Sequence, residues 1–127
     1  MSMYAMTISS EQARAIDKAV ELLLRLKIGQ FDVLPQNLMA LGSEGYCEHR
    51  DAAKPYLDGL EQVFSTYYHK DDEWHRLYDL HQVIRKAIHD AEHPETTGVD
   101  SYPVMCTSGE RLARMEVVTD AAEGNKR

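Results

Sequence analysis

The sequence predicts a mainly α-helical protein: a small four-helix domain with a minor β element formed by the two chain ends. Apolar residues recur at spacings of three and four through four separate segments, which is the period of an amphipathic helix. Capping residues precede these segments, and glycine or proline follows several of them. The hydrophobic fraction of 43% is enough for a core, and 127 residues fit one domain.

The first helix is expected over residues 10–28. Ser9 can serve as its N-cap and Gln12 can complete a capping box, in which each side chain binds the backbone amide of the other residue. Gly29 follows the last apolar position, and glycine readily enters the left-handed conformation that ends many helices.

A second, shorter helix is expected within residues 31–41, with Asp32 as its cap. A third is expected from about Asp51, as cap, to His69. Gly59 lies inside this third helix, where glycine costs about 1 kcal/mol relative to alanine, and its presence suggests close approach of a neighbour. The predicted apolar stripe of this helix consists of Leu57, Leu60, Phe64 and Tyr67, widened by Tyr56 and Val63.

The fourth helix is expected over residues 72–92. Asp71 is its predicted cap, and Pro94 closes the element because proline cannot continue a helix. The short link from the third helix predicts that the third and fourth helices form an antiparallel pair.

The helical pattern fades after the fourth helix. The segments "YPVMC" and "RLARMEVV" are predicted to form two short strands, and the N-terminal "MYAMTI" could pair with one of them. We expect a single domain over residues 1–118 and a flexible polar tail over residues 119–127.

Composition narrows the function classes. The chain has 21 acidic and 14 basic residues, and a net charge of -7 argues against direct binding to nucleic acid, which relies on cationic surface. No apolar run is long enough for a membrane span, and no secretion signal precedes the first helix. Cys47 and Cys106 are too few for a disulfide framework, so we expect free thiols in a reducing cytoplasm.

The stretch "HDAEH" formally matches the zinc-peptidase pattern H-x-x-E-H through His89, Glu92 and His93. It sits in the last turn of the fourth helix, against Pro94, and no second motif supplies a third ligand. Cationic side chains are also favoured there by the negative end of the helix dipole. We therefore predict no metal, no cofactor and no catalytic residue, and a non-enzymatic role is favoured.

A second feature of the fourth helix is a stripe of Trp74, Tyr78, His81 and Arg85 within one quadrant of the helix surface. Trp, Tyr and Arg are enriched where proteins bind partners, so these four residues are the predicted binding site. The alternative is that the aromatic rings seal the edge of the core, with Arg85 lying over them.

The segments "SSEQARAIDKAVELLLRLKIGQFD", "YDLHQVIRKAI" and "TSGERLARMEVV" resemble a group of small bacteriophage- and prophage-encoded proteins of uncharacterised function. The resemblance covers the first helix, the fourth helix and the chain end, and it carries no catalytic signature. It implies a protein made in the cytoplasm of a bacterial host, with an accessory or host-interaction role.

The predicted function is a noncatalytic phage or prophage accessory protein that binds a host or phage macromolecule. A protein partner is expected, and a homodimer is left open. The alternative is a protein that binds or sequesters a small molecule such as a nucleotide. In that case Arg85 would bind a phosphate group and the aromatic rings would stack on a base. A metal-dependent hydrolase centred on His89, Glu92 and His93 is the least favoured class.

Overall fold

The computed structural model describes residues 2–92, 104 and 106–118, and it confirms a small, mainly helical domain. The predicted bounds of the first helix are confirmed to within one residue, and those of the fourth helix are matched at both ends. The described helices are α1 Ser10–Lys27, α2 Val33–Leu38, α3 Tyr46–Phe64, a 3-10 turn Ser65–Tyr67, and α4 Asp72–Glu92.

Two of the predicted helix caps are confirmed. At the start of α1, the amide of Gln12 donates to Ser9 Oγ at 3.1 Å and the amide of Ser9 donates to Gln12 Oε1 at 2.8 Å. At the start of α4, the amide of Trp74 donates to Asp71 Oδ1 at 2.8 Å. That hydrogen bond and one from Lys27 hold the pKa of Asp71 below its usual value. Asp32 occupies the predicted N-cap position of α2, but its side chain makes no capping hydrogen bond.

Helix α3 begins at Tyr46, five residues before the predicted cap Asp51. The first turn forms there because Tyr46 is buried and its ring lies under the guanidinium of Arg50, 5.8 Å from the ring centroid. Pro55 is therefore inside the helix rather than in its first turn. The sequence pattern missed this start because no side-chain cap marks it.

The long helices α1 and α4 form the centre of the domain and run antiparallel. Val20 and Leu24 of α1 pack with Trp74 of α4, and the indole Nε1 of Trp74 donates to the carbonyl of Leu24 at 3.2 Å. That carbonyl belongs to the last turn of α1, where carbonyls lack helical partners. The flanking side chains are Ile16, Ile28, Leu77, Tyr78 and Leu80. The predicted pairing of α3 with α4 is wrong: the principal partner of α4 is α1, while α3 packs on α2.

A tight turn after α1 brings the ends of three helices together. Gly29 has a φ of +84°, and a Cβ atom at this position would lie only 2.3 Å from Cε2 of Tyr68. The ring of Phe31 lies 6.1 Å from that of Tyr68 and 6.4 Å from that of Phe64, measured between centroids. Glycine is required here both for its backbone conformation and for the space that Tyr68 occupies.

The predicted strands at the chain ends are not found in the described residues: residues 2–8, 104 and 106–118 form no strand. Instead, the amides of Thr107 and Ser108 donate to the carboxylate of Asp79 in α4, at 2.8 and 3.0 Å. These two residues belong to the link between the predicted strands, so the hydrogen bonds to Asp79 hold that link against α4. Residues 102, 103 and 105 of "YPVMC" and the predicted tail 119–127 lie outside the described residues.

Candidate functional site

Three of the four predicted binding residues lie in the interface between α1 and α4. Trp74 and His81 are only 7% and 8% exposed, and Tyr78 is partly buried. The ring of Tyr78 stacks on that of Trp74 with centroids 5.1 Å apart. These contacts correspond to the alternative in which the aromatic rings seal the core. A binding role for the whole stripe stays a prediction.

His81 is held by contacts on both ring nitrogens. Its Nδ1 lies 2.6 Å from Asp17 Oδ1 of α1, and its Nε2 lies 3.4 Å from Arg85 Nη1. Because arginine can only donate, Nε2 is the acceptor of that contact and Nδ1–H is the donor to Asp17. The imidazole therefore positions the two helices, and it offers no open nitrogen to a metal or a substrate.

Arg85 lines an open groove of about 340 Å³ between α1 and α4. The groove carries three cationic side chains (Arg14, Lys18 and Arg85) and three carboxylates (Asp17, Glu21 and Glu92), together with Ile88 and His89. Arg14 forms an ion pair with Glu92 across the groove. Because the charges balance, the groove does not concentrate positive potential in the way that favours a phosphate.

The described part of "HDAEH" does not form a metal site. No group of three His, Cys, Asp or Glu side chains among the described residues could hold a metal ion. Nδ1 of His89 lies 3.5 Å from Asp90 Oδ1, and the carboxylate of Glu92 pairs with Arg14. His93 lies outside the described residues, so the prediction of no metal at the full motif stays a prediction.

Asp79 forms a second polar cluster, which fastens the C-terminal segment to α4. Besides the two amides, the hydroxyl of Thr107 donates to Asp79 Oδ1 at 2.7 Å, and Nδ1 of His75 lies 3.0 Å from that hydroxyl. Burial by itself would raise the pKa of Asp79, but the hydrogen bonds from Ser108 and Thr107 lower it to about 2. A carboxylate with such a low pKa is a poor general base, so this cluster is structural.

Neither cysteine is placed as a nucleophile. Cys47 and Cys106 are free thiols, and Cys106 Sγ lies 3.6 Å from Asp79 Oδ2 and 3.3 Å from the carbonyl of Glu110. Reactive cysteines lie in electropositive surroundings, whereas the contacts of Cys106 Sγ are with oxygen atoms of Asp79, Ser108 and Glu110.

The feature that sequence reasoning missed is an apolar surface on α3. Most members of the predicted apolar stripe are exposed, because the main described contacts of α3 are with α2 and with the 3-10 turn that follows α3 and contains Tyr67. We call the exposed residues the α3 strip. Its members and their exposed fractions are Tyr56 78%, Leu60 39%, Val63 66%, Phe64 43% and Tyr67 69%.

The charged side chains of α3 lie mostly away from the α3 strip. At 3.6 residues per turn, Asp51, Lys54, Asp58 and Glu61 fall on the opposite half of the helix. Lys54 pairs there with Asp58 at 3.2 Å. Helix α3 thus has one polar half and one apolar half, and within the described chain the apolar half is only partly covered.

Gly59, which lies beside the α3 strip, is the sequence feature that indicated a contact surface here. A Cβ atom added there would have no described neighbour within 4 Å. The close neighbour that a glycine in a helix suggests is therefore not supplied by the described part of the chain.

None of the helices in the described residues has the length and apolar character needed to cross a membrane. Comparison with protein-family models, with curated proteins and with solved structures finds no match for this chain.

Proposed function

We propose that this chain is a noncatalytic binding protein that binds another protein through the α3 strip. The observation that supports this proposal most directly is that five large apolar side chains are exposed along one side of α3 and the 3-10 turn that follows it. Soluble monomers rarely expose contiguous apolar patches larger than a few hundred Å². Aromatic side chains each contribute about 150–250 Å², so at these exposures the α3 strip offers on the order of 500 Å².

This area is enough to drive association when a partner covers most of it. At about 25 cal/mol per Å², burial of the α3 strip contributes roughly 12 kcal/mol before costs are subtracted. The loss of translational and rotational freedom costs about 4–15 kcal/mol. A partner must therefore match the shape of the strip, as an apolar helix face or groove does. The hydroxyls of Tyr56 and Tyr67 supply polar contacts at its two ends.

The resemblance to phage-encoded proteins bears on the biological setting. On that resemblance we propose a phage or prophage accessory role, with a host or phage protein as the partner in the bacterial cytoplasm. The net charge of -7 favours a protein partner over direct contact with nucleic acid.

Site-specific photo-crosslinking in bacterial cells tests the proposal. A photoreactive amino acid at Val63, inside the α3 strip, is compared with the same amino acid at its neighbour Gln62, which lies outside the strip and is also exposed. We expect a discrete protein adduct from position 63 and none from position 62. Absence of any adduct, or the same adducts from both positions, would contradict binding through the strip.

Nucleotide sequestration stays the alternative. The balanced charges of the groove beside Arg85 give it no specific support. A nucleotide that raises the melting temperature of the protein, with the effect removed by Arg85→Ala, would favour it over the proposed function.

A further inference from the structure

We infer that the occupant of the α3 strip is a second copy of this chain, in a two-fold dimer whose α3 helices run antiparallel. The inference rests on the proposed function and names the partner class. Closed two-fold dimers are the commonest oligomers of soluble proteins, and their interface must be complementary to itself. Three properties of the α3 strip meet that requirement: the sizes of its facing side chains, the positions of the charges on α3 and the exposed apolar area.

The size pattern of α3 is self-complementary. In an antiparallel two-fold pair, residue i of one copy faces residue j of the other, and j faces i. With the axis passing between Gly59 and Leu60, these two residues face each other, and Tyr56 faces Val63. Each larger side chain thus meets a smaller one, which lets two helices pack closely.

Gly59 gives independent support. Glycine weakens a helix interior, and apart from its chain neighbours and the nearby backbone of α3, no described atom lies within 4 Å of the position that its Cβ would occupy. A second α3 helix packed across Gly59 supplies the close neighbour that the single chain lacks. The residue that would otherwise be the weakest position of α3 becomes the point of closest approach.

The charges of α3 distinguish a second copy from a strongly charged partner. A basic partner would need carboxylates bordering the α3 strip, yet Asp51, Asp58 and Glu61 lie on the other half of the helix. Glu48, near the start of α3, is the carboxylate of this helix closest to the strip's side. Two chains of net charge -7 can therefore associate through α3 without opposing carboxylates along the centre of the contact.

The available area fits a dimer. The α3 strip offers on the order of 500 Å² per copy, so two copies would bury on the order of 1,000 Å² in total, which is about the lower limit for a specific interface.

The mass of the full-length protein, measured by sedimentation equilibrium over a range of micromolar concentrations, tests the inference. We expect wild type to reach twice the 14.5 kDa of one chain. Val63→Glu places a charge in the contact and should raise the dimer dissociation constant at least about tenfold. Gln62→Glu adds the same charge outside the strip and should leave the constant unchanged. A wild-type protein that stays monomeric, or equal weakening by both variants, overturns the inference.

Gly59→Leu separates a contact role from a purely structural one. Leucine favours helix more than glycine does and has open space in the single chain, so the melting temperature of the monomer should rise. In the dimer, the same side chain blocks the close approach and should weaken association at least about tenfold. A higher melting temperature together with weaker association supports the inference, whereas a higher melting temperature with unchanged or tighter association contradicts it.

Disulfide trapping locates the axis. In a Cys47→Ser, Cys106→Ser background, Leu60→Cys should oxidise to a covalent dimer, and Asp58→Cys on the polar half should not. Photo-crosslinking at Val63 separates failure of this inference from failure of the proposed function. An adduct with a different protein from a monomeric chain overturns the dimer and supports the proposed function. No adduct with any protein overturns both.

Discussion

Asp17 and His81 lie 64 residues apart in the sequence and meet across the α1–α4 interface, with Asp17 Oδ1 2.6 Å from Nδ1 of His81. Their side chains are only 17% and 10% exposed, so the Nδ1–H of His81 depends on Asp17 for its acceptor within the interface. A pair of this kind fixes the register of two helices whose apolar contacts would tolerate sliding.

Breaking the Asp17–His81 pair should destabilise the protein. We expect Asp17→Ala to lower the free energy of unfolding by about 1–3 kcal/mol, because the imidazole N–H is left buried without its acceptor. A double-mutant cycle with His81→Leu, followed by urea denaturation, should show that the two losses are not additive. Additive losses would mean that the two side chains stabilise the fold independently.

Because of Asp79, the free energy of unfolding should decrease at low pH. The pKa of Asp79 is about 2 in the folded protein and near 3.8 when unfolded, so the folded state favours the ionised form. The associated stability, about 2 kcal/mol, is fully present above pH 4 and is lost as the pH falls from about 4 to about 2. Urea denaturation across that range should show the loss in wild type and a smaller one in Asp79→Asn. A variant with an unchanged pH profile would show that another carboxylate controls the transition.

Gly29→Ala should be strongly destabilising. The left-handed backbone costs alanine about 1–2 kcal/mol, and its Cβ would overlap the ring of Tyr68. In a Tyr68→Ala background the overlap disappears and only the backbone strain remains, so the same substitution should cost less. Thermal unfolding of wild type, Gly29→Ala, Tyr68→Ala and the double variant measures the cost of Gly29→Ala in each background. Equal costs in both backgrounds would show that Tyr68 moves aside without loss.

Trp74 should behave as a core residue. Because it is 7% exposed and its indole donates to the carbonyl of Leu24, Trp74→Ala should cost about 3–5 kcal/mol in unfolding free energy. Arg85→Ala serves as the comparison, since Arg85 is exposed and should cost less than about 1 kcal/mol. Denaturation followed by circular dichroism checks both. A Trp74→Ala variant with wild-type stability would return this residue to the candidate binding surface.

Local signals predicted the helices well where both the apolar period and a cap were present. Ser9 with Gln12 and Asp71 with its acidic neighbours placed the starts of α1 and α4, because capping depends on residues within one turn. Helix α3 had no side-chain cap, and its start depends on burial of Tyr46, which no local pattern indicates.

The candidate site was the part that sequence could predict least. The periodicity of the sequence predicted an apolar face on α3 and an aromatic–basic stripe on α4. It does not indicate which of the two is covered by another part of the chain. In the folded chain α1 covers Trp74 and His81, whereas most of the large side chains of the α3 strip remain exposed. An amphipathic pattern specifies that a face avoids water and carries no information about which element will cover it.

The sequence by itself determined the helical class, the extents of α1 and α4 and their caps, because these depend on propensity and on hydrogen bonds between residues close in the chain. Only the tertiary structure decided that α4 pairs with α1, that Asp79 holds the C-terminal segment and that the α3 strip is exposed. Those outcomes depend on contacts between residues far apart in the sequence, where the competition among apolar faces is settled by shape and by the pairing of buried polar groups.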